Sequence, residues 1–444
     1  MPGTKGHIAA MAWAAGCFLA PPAAAAEAGP LTLSEALALV DRRSPELAAA
    51  RDGAAEQRAR ADAAARGAWP RLGVGADWSR TDNPARVFAG RLNRGAFAAE
   101  DFAVDRLNQP PPLSHLMTVA TLEVPIDAFG KVSSRAAGER ASARALSARA
   151  QEVRQDLRLR AVDAFERARL AKAAVKVAES ALASARSREA DVAARVEEGA
   201  ALGADRLRVR ARRRQREADV AGAREQVRTA RAALARAVGA PAGTDYEPGD
   251  APVAPAAPEG TLEQWQARAL ADRPVLAAAR EERAGAALAL QAERRSGLPD
   301  VRAWAQLEDD RGSSASARSF AFGASLRWDL FDASRDGRSA AARAAASAAE
   351  NGARAAADQV RLEVETAWRR AASARERHTA AHGGAEEGRE ALRVVQERRR
   401  SGMATLTDEL ETEAASLSAE LEELTTAAEI VLADAALRRS AGGL

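Results

Sequence analysis

The sequence predicts a mainly α protein with a small β part, built from two copies of one unit: a helix, two strands and a long helical hairpin. Three observations predict it. The 444 residues are 47% hydrophobic and 29% charged but only 4% aromatic. Alanine with arginine, glutamate and leucine at such density marks long helices packed through small side chains rather than a compact aromatic core. A repeat runs through the chain, and prolines and alternating ten-residue segments occur at matching places in both copies.

At the N-terminus, Lys5 and His7 precede an apolar run from Ile8 to Ala20, then Pro21, Pro22 and Ala23–Ala26. This is the pattern of a secretory signal peptide, residues 1–26, with cleavage expected after Ala26. A second reading takes Cys17, the sole cysteine, as an acylated lipoprotein cysteine. Cleavage at Ala26 would leave an exported chain without any disulfide.

The repeat follows from direct superposition. Thr32 falls on Thr261, Leu33 on Leu262, Pro45 on Pro274, Leu47 on Leu276, Ala48–Arg51 on Ala277–Arg280 and Pro70 on Pro299, all at one offset. Further on, Asp127 and Phe129 match Asp329 and Phe331, and Gly199, Asp205 and Leu207 match Gly402, Asp408 and Leu410. The first repeat is therefore 27–239 and the second 261–444, joined by a proline-rich linker, 240–260, carrying Pro241, Pro248, Pro252, Pro255 and Pro258.

Within each repeat, Thr32 with Ser34, or Thr261, can cap a helix that runs to Gly67 or Gly297 and stops at Pro70 or Pro299. Two strands follow, separated in the first repeat by a long loop, 81–117, that contains Pro110–Pro112. No proline interrupts the chain between Pro125 and Pro241, or after Pro299. Residues 131–198 form a rod of roughly 100 Å at 1.5 Å per residue, which needs neighbours along its whole length. Turns at Gly199–Ala204 and Gly402–Thr407 reverse the chain, with Asp205 and Asp408 expected as N-caps of the returning helices and Thr407 competing in the second.

The strands alternate like membrane strands. Val74, Trp78, Leu122, Phe320, Phe322, Leu326 and Trp328 would share a lipid-facing side, with Asp77, Glu123, Ser325 and Arg327 on the watered side. Residues 300–308 fit less well, because an outward Val301, Ala303, Ala305 and Leu307 leaves Trp304 inside. Four strands cannot close a barrel, and an open edge in lipid leaves backbone groups unsatisfied. Closed membrane barrels begin at about 8 strands, so two, three or more copies are required.

The Thr-Leu…Pro-Glu-Leu-Ala-Ala-Ala-Arg opening at residues 32–51, the helix-ending proline, the paired strands, the Asp-x-Phe exit and the Gly-x5-Asp-x-Leu turn occur twice in one order. In this the chain resembles the TolC-type outer-membrane efflux proteins over essentially its whole mature length. The resemblance implies a homotrimer in which a twelve-stranded transmembrane β-barrel continues into a trimeric α-barrel across the periplasm. It also implies a periplasmic adaptor protein and an inner-membrane pump as partners, and passive conduction of their substrates through the duct. By their distance from Gly402, Asp408 and Glu411 match the family's acidic periplasmic gate. Gly199, Leu202, Asp205, Gly402, Leu406 and Asp408 fall at the adaptor-docking tips.

Other chemistry is weakly represented. No nucleophile elbow, phosphate loop or His-Glu-x-x-His motif is present, so no enzyme and no cofactor is expected. Lys+Arg (65) nearly balances Asp+Glu (62) without a basic stripe among stacking aromatics, so nucleic acid is not an expected partner. His378 and His382 share a helix face at metal-ligand spacing, but no carboxylate or third ligand shares that spacing convincingly, so two exposed helix positions are the preferred reading and no metal is expected. Gly73-x-Gly75 lies in a strand, where close packing is the expected reason. The alternative function is a periplasmic coiled-coil adaptor or scaffold without a membrane barrel.

Overall fold

The computed structural model describes residues 30–241, 243–249, 257–313 and 315–444. The signal segment and Cys17 lie outside the described residues, as does the middle of the linker. The elements are α1 (Leu33–Arg43), α2 (Pro45–Ala65), β1 (Arg71–Thr81), α3 (Pro84–Asn93), α4 (Val104–Asn108), β2 (Leu113–Ile126), α5 (Lys131–Glu197) and α6 (Gly203–Ala237). The second repeat supplies α7 (Leu262–Asp272), α8 (Pro274–Ser296), β3 (Asp300–Gly312), β4 (Ser316–Arg327), α9 (Arg335–Arg400) and α10 (Leu406–Ser440).

The opening helix of each repeat is broken, where the sequence suggested one rod. Pro45 and Pro274 drive the preceding residue out of the helical region. Ser44 (φ −66°, ψ 117°) and Arg273 (φ −67°, ψ 121°) are both extended. Ser44 then caps α2, its hydroxyl accepting the Leu47 amide at 3.3 Å. The same device supports both breaks. Gly239, at φ +73°, follows α6 and lies against the Arg43 carbonyl; Gly442, at φ +87°, follows α10 and lies against that of Asp272. A Cβ would sit 2.7 Å or 2.9 Å from those oxygens, so only glycine lets the returning helix end there.

The two long helices, 67 and 66 residues, are straight-through as the proline gaps require. Asp127 explains the start of α5, since its carboxylate accepts the amides of Val132 (3.0 Å) and Ser133 (2.9 Å). Its counterpart by repeat, Asp329, instead faces Arg327, and Asp332 accepts the amide of Ser334, the residue just before α9. Each repeat has its own apolar core around its break: Val40, Leu47, Phe165 and Leu234 in the first, Trp265, Leu276, Val364 and Leu437 in the second. Between α5 and α8, Gly138, Ala141 and Gly285 let the backbones approach closely.

The four strands form one antiparallel sheet in the order β1-β2-β3-β4, with β1 and β4 as open edges. The register aligns Leu72, Leu122, Ala305 and Phe322 in one row, and Val74, Ala120, Leu307 and Phe320 in the next. This face is apolar across all four strands and exposed, Val74 at 72% and Phe320 and Phe322 at 76% each. Val301, Ala303, Ala305 and Leu307 belong to it, so β3 obeys the same pattern as the others. Trp304 does turn to the opposite, polar face, and Gly323 makes room for it: a Cβ there would meet the indole at 3.1 Å. On that polar face Ser79, His115 and Asp310 tie three strands together, at 2.8 Å and 3.2 Å. Gly73 and Gly75 lie on the edge strand β1, where an added Cβ would meet nothing of the same chain within 4 Å, so any close packing there would be against the neighbouring copy.

The segment between β1 and β2 is also more ordered than a loop. α3, a turn at Ala99–Phe102 and α4 pack Phe88, Phe97 and Phe102 edge-to-face, with centroids 4.6 to 6.5 Å apart, and Arg91 pairs with Asp101. Among the described residues no helix is long and apolar enough to cross a membrane.

Candidate functional site at the hairpin tips

The turn α5–α6 and the turn α9–α10 share one backbone geometry. Gly199 (φ +73°) and Gly402 (φ +80°) occupy the left-handed position after the helix. The next amides, of Ala200 and Met403, return to the Arg195 and Arg398 carbonyls, each at 2.7 Å. Both turns push one large apolar side chain into solvent, Leu202 at 71% exposed and Met403 at 73%. Leu406 begins α10 and is half-buried.

Neither expected aspartate is an N-cap. The residue before α6 is Leu202, whose side chain cannot cap, and Asp205 lies three positions further, its carboxylate 3.8 Å from Arg208. In α10 the cap is Thr405, not Thr407 or Asp408. Its hydroxyl accepts the Asp408 amide (3.2 Å) while Asp408 accepts the Thr405 amide (2.9 Å), a reciprocal capping box. That amide bond, with the hydroxyl, holds the Asp408 carboxyl below its ordinary range, so it is charged at neutral pH. Asp408 and Glu411 are both exposed and lie on one face of α10.

The other acids of this turn face inward, which the sequence reading missed. Glu409 and Glu413 are 5% and 4% exposed. Arg188 of α5, itself buried, reaches Glu409 at 3.1 Å and Glu413 at 2.5 Å, and Arg399 also pairs with Glu409. Burial, with Arg216 nearby, pulls the Arg212 guanidinium below its usual range beside this cluster. A signal existed, since Glu409 and Glu413 are four apart and Arg188 interrupts an alanine-rich seam. The second hairpin is thereby fastened to the first close to both tips. His378 and His382 are engaged across the α9–α10 pair, with Thr426 at 3.2 Å and Glu423 at 2.5 Å respectively. No group of three metal-ligating side chains occurs among the described residues.

The outer membrane efflux protein family model matches residues 35–240 and 265–443, one match to each repeat. The chain belongs to the outer membrane efflux protein family. Solved structures of similar fold include a membrane protein from Pseudomonas aeruginosa, at 20% identity and a TM-score of 0.78 over 92% of this chain and 93% of that one. The outer-membrane channel OprN is similar at 22% identity and a TM-score of 0.76, over 93% and 90% of the two chains. VceC from Vibrio cholerae follows at 18% and 0.75, over 93% and 96%. No curated protein matches the sequence.

Family membership decides between channel and adaptor in favour of the outer-membrane efflux channel. The sheet lies in the outer membrane and the helices extend into the periplasm. The fold class expected from the sequence, long helical hairpins joined to four strands that are one third of a trimeric barrel, is the fold of these channels. The end of the sheet carrying α3 and α4, remote from the long helices, is consequently the outer end.

Proposed function

We propose that three copies form a passive duct that receives substrates from an inner-membrane pump through a periplasmic adaptor, gated by Asp408 and Glu411 and docked at the two tips. The observation that carries this reading is the division of acids on α10. Glu409 and Glu413 are consumed by Arg188, whereas Asp408 and Glu411 stand exposed on one face. Three copies would set six carboxylates around the periplasmic entrance. Such a ring attracts cations, and its self-repulsion opposes tight closure. Around it, Gly199 and Gly402 set the turns, Leu202 offers an apolar contact, Leu406 anchors the second tip, and Asp205 and Asp408 add charge for the adaptor to read.

Planar-bilayer recording of the purified trimer tests the gate. Asp408→Asn with Glu411→Gln is expected to lower cation selectivity and, by removing the repulsion that opposes closure, to lower resting conductance. Unchanged selectivity and conductance would remove both residues from the gate. For docking, Leu202→Glu is expected to reduce site-specific crosslinking to the adaptor without changing trimer yield.

A further inference from the structure

The apolar face of the sheet does not end alike at its two rims. At the periplasmic rim its last residues are Leu72, Ile126, Val301 and Trp328, all apolar. At the outer rim the same face passes from Trp78 to Arg80, from Phe320 to Arg318, and from Leu307 through Asp309 to Arg311. The side chains of Arg311 and Arg318 are 62% and 78% exposed, and Arg80 is exposed too. Asp309, aligned opposite Arg318, lies 2.7 Å from Arg311 and 3.5 Å from Arg318, so one carboxylate gathers two guanidiniums on neighbouring strands. The group carries a surplus of positive charge.

Arginine on a lipid-facing strand position is tolerated only near the interface. Simple interfacial anchoring would act at both rims, with aromatic and basic residues alike. Confinement of the cations to the outer rim requires a partner found there. Each guanidinium offers five N–H donors, and its fork matches a phosphate bidentately. Strands about 4.8 Å apart hold two such forks at a spacing one phosphate can bridge.

We propose that Arg311 and Arg318, oriented by Asp309, form a binding site on the lipid-facing wall for the phosphate of an outer-leaflet glycolipid, lipid A, with Arg80 adding positive charge on the far edge strand. The acyl chains would lie against Leu307 and Phe320 directly below. The site uses the outer-membrane location and is independent of the gate and of any pump.

The test is native mass spectrometry of delipidated, full-length trimer with added lipid A, enzymatically dephosphorylated lipid A, or inorganic phosphate. Lipid A is expected to bind about tenfold tighter than its dephosphorylated form. Arg311→Gln with Arg318→Gln should bring lipid A down to the dephosphorylated level, and the paired lysine substitutions should lie between. Millimolar phosphate should not displace the lipid. Equal affinity of wild type for the two lipids would overturn the proposal, as would full lipid A binding by a double variant that retains its trimer, or displacement by free phosphate. If the double variant yields no trimer, the comparison of the two lipids on wild type decides alone. Failure of barrel assembly itself would show separately, as loss of the heat-modifiable trimer.

Discussion

Truncating Arg273 should loosen the molecule at the waist, where the second repeat closes. Arg273 is 2% exposed and donates to Glu152 and Glu363, each at 2.8 Å, and to the Ser440 carbonyl at 2.9 Å. Removing one partner of a buried ion pair costs about 3–5 kcal/mol. Here Arg439 spans the same carboxylates, Glu152 at 2.9 Å and Glu363 at 3.0 Å, so neither is left without a cation. The lower end, about 3 kcal/mol, is therefore expected for Arg273→Ala. If that loss falls on the unfolding barrier, unfolding accelerates by about a hundredfold. Arg273→Lys keeps the charge but not the fork, and should fall between. The assay is the half-life of the detergent-resistant trimer at fixed temperature. Acid provides a second reading. Burial pushes the Glu363 carboxyl up, but the Arg273 hydrogen bond and charge outweigh it and leave it below the ordinary range. A depressed folded value means stability present above the unfolded value of about 4.3 and lost as pH falls through the folded one. Arg273→Ala should flatten that acid limb. A half-life equal to wild type, or equal losses for alanine and lysine, would refute the account.

Three further expectations concern separate parts of the fold. Gly442→Ala, at φ +87° and against the Asp272 carbonyl, should destabilise by about 1–3 kcal/mol, measured by the same trimer half-life. Gly323→Val should lower trimer yield by colliding with Trp304, and Trp304→Ala in the same chain should restore much of it. The Glu423 hydrogen bond, with Glu386, holds the His382 imidazole above its ordinary value. Its stabilisation is present below about 6.5 and fades as pH rises through the higher folded value; an NMR titration should show the raised midpoint, and Glu423→Gln should return it towards normal.

Much of this architecture was legible in the sequence because it depends on periodicities that do not need a partner. The long helices follow from missing prolines, and the lipid face from alternation at Val74, Trp78, Phe320 and Phe322. Even the awkward Trp304 was assigned to the right side; what could not be read was Gly323 across the ladder, which makes room for the ring. The helix breaks were present as Pro45 and Pro274, which open α2 and α8, but the closeness of Gly239 and Gly442 to each break is visible only in the structure. At the tips the glycine turns were evident. The cap was misplaced because Asp408 and Thr405 both reach backbone amides, and spacing alone does not say which holds the extended position. Glu409 and Glu413 look like solvated charges until Arg188, far away in the chain, arrives beside them.

The two unpaired borders of the sheet, β1 and β4, also have a genetic reading. Each border must be completed by a different copy, so every duct mixes the products of whichever alleles are expressed together. A variant that still joins its neighbours but distorts the pore would poison assemblies it enters. With equal expression and random joining, only about one-eighth of three-membered ducts would contain wild-type chains alone. If Asp408 and Glu411 form the proposed gate, their variants should behave as dominant in partial diploids. Variants that prevent joining, such as Gly323→Val, should be recessive.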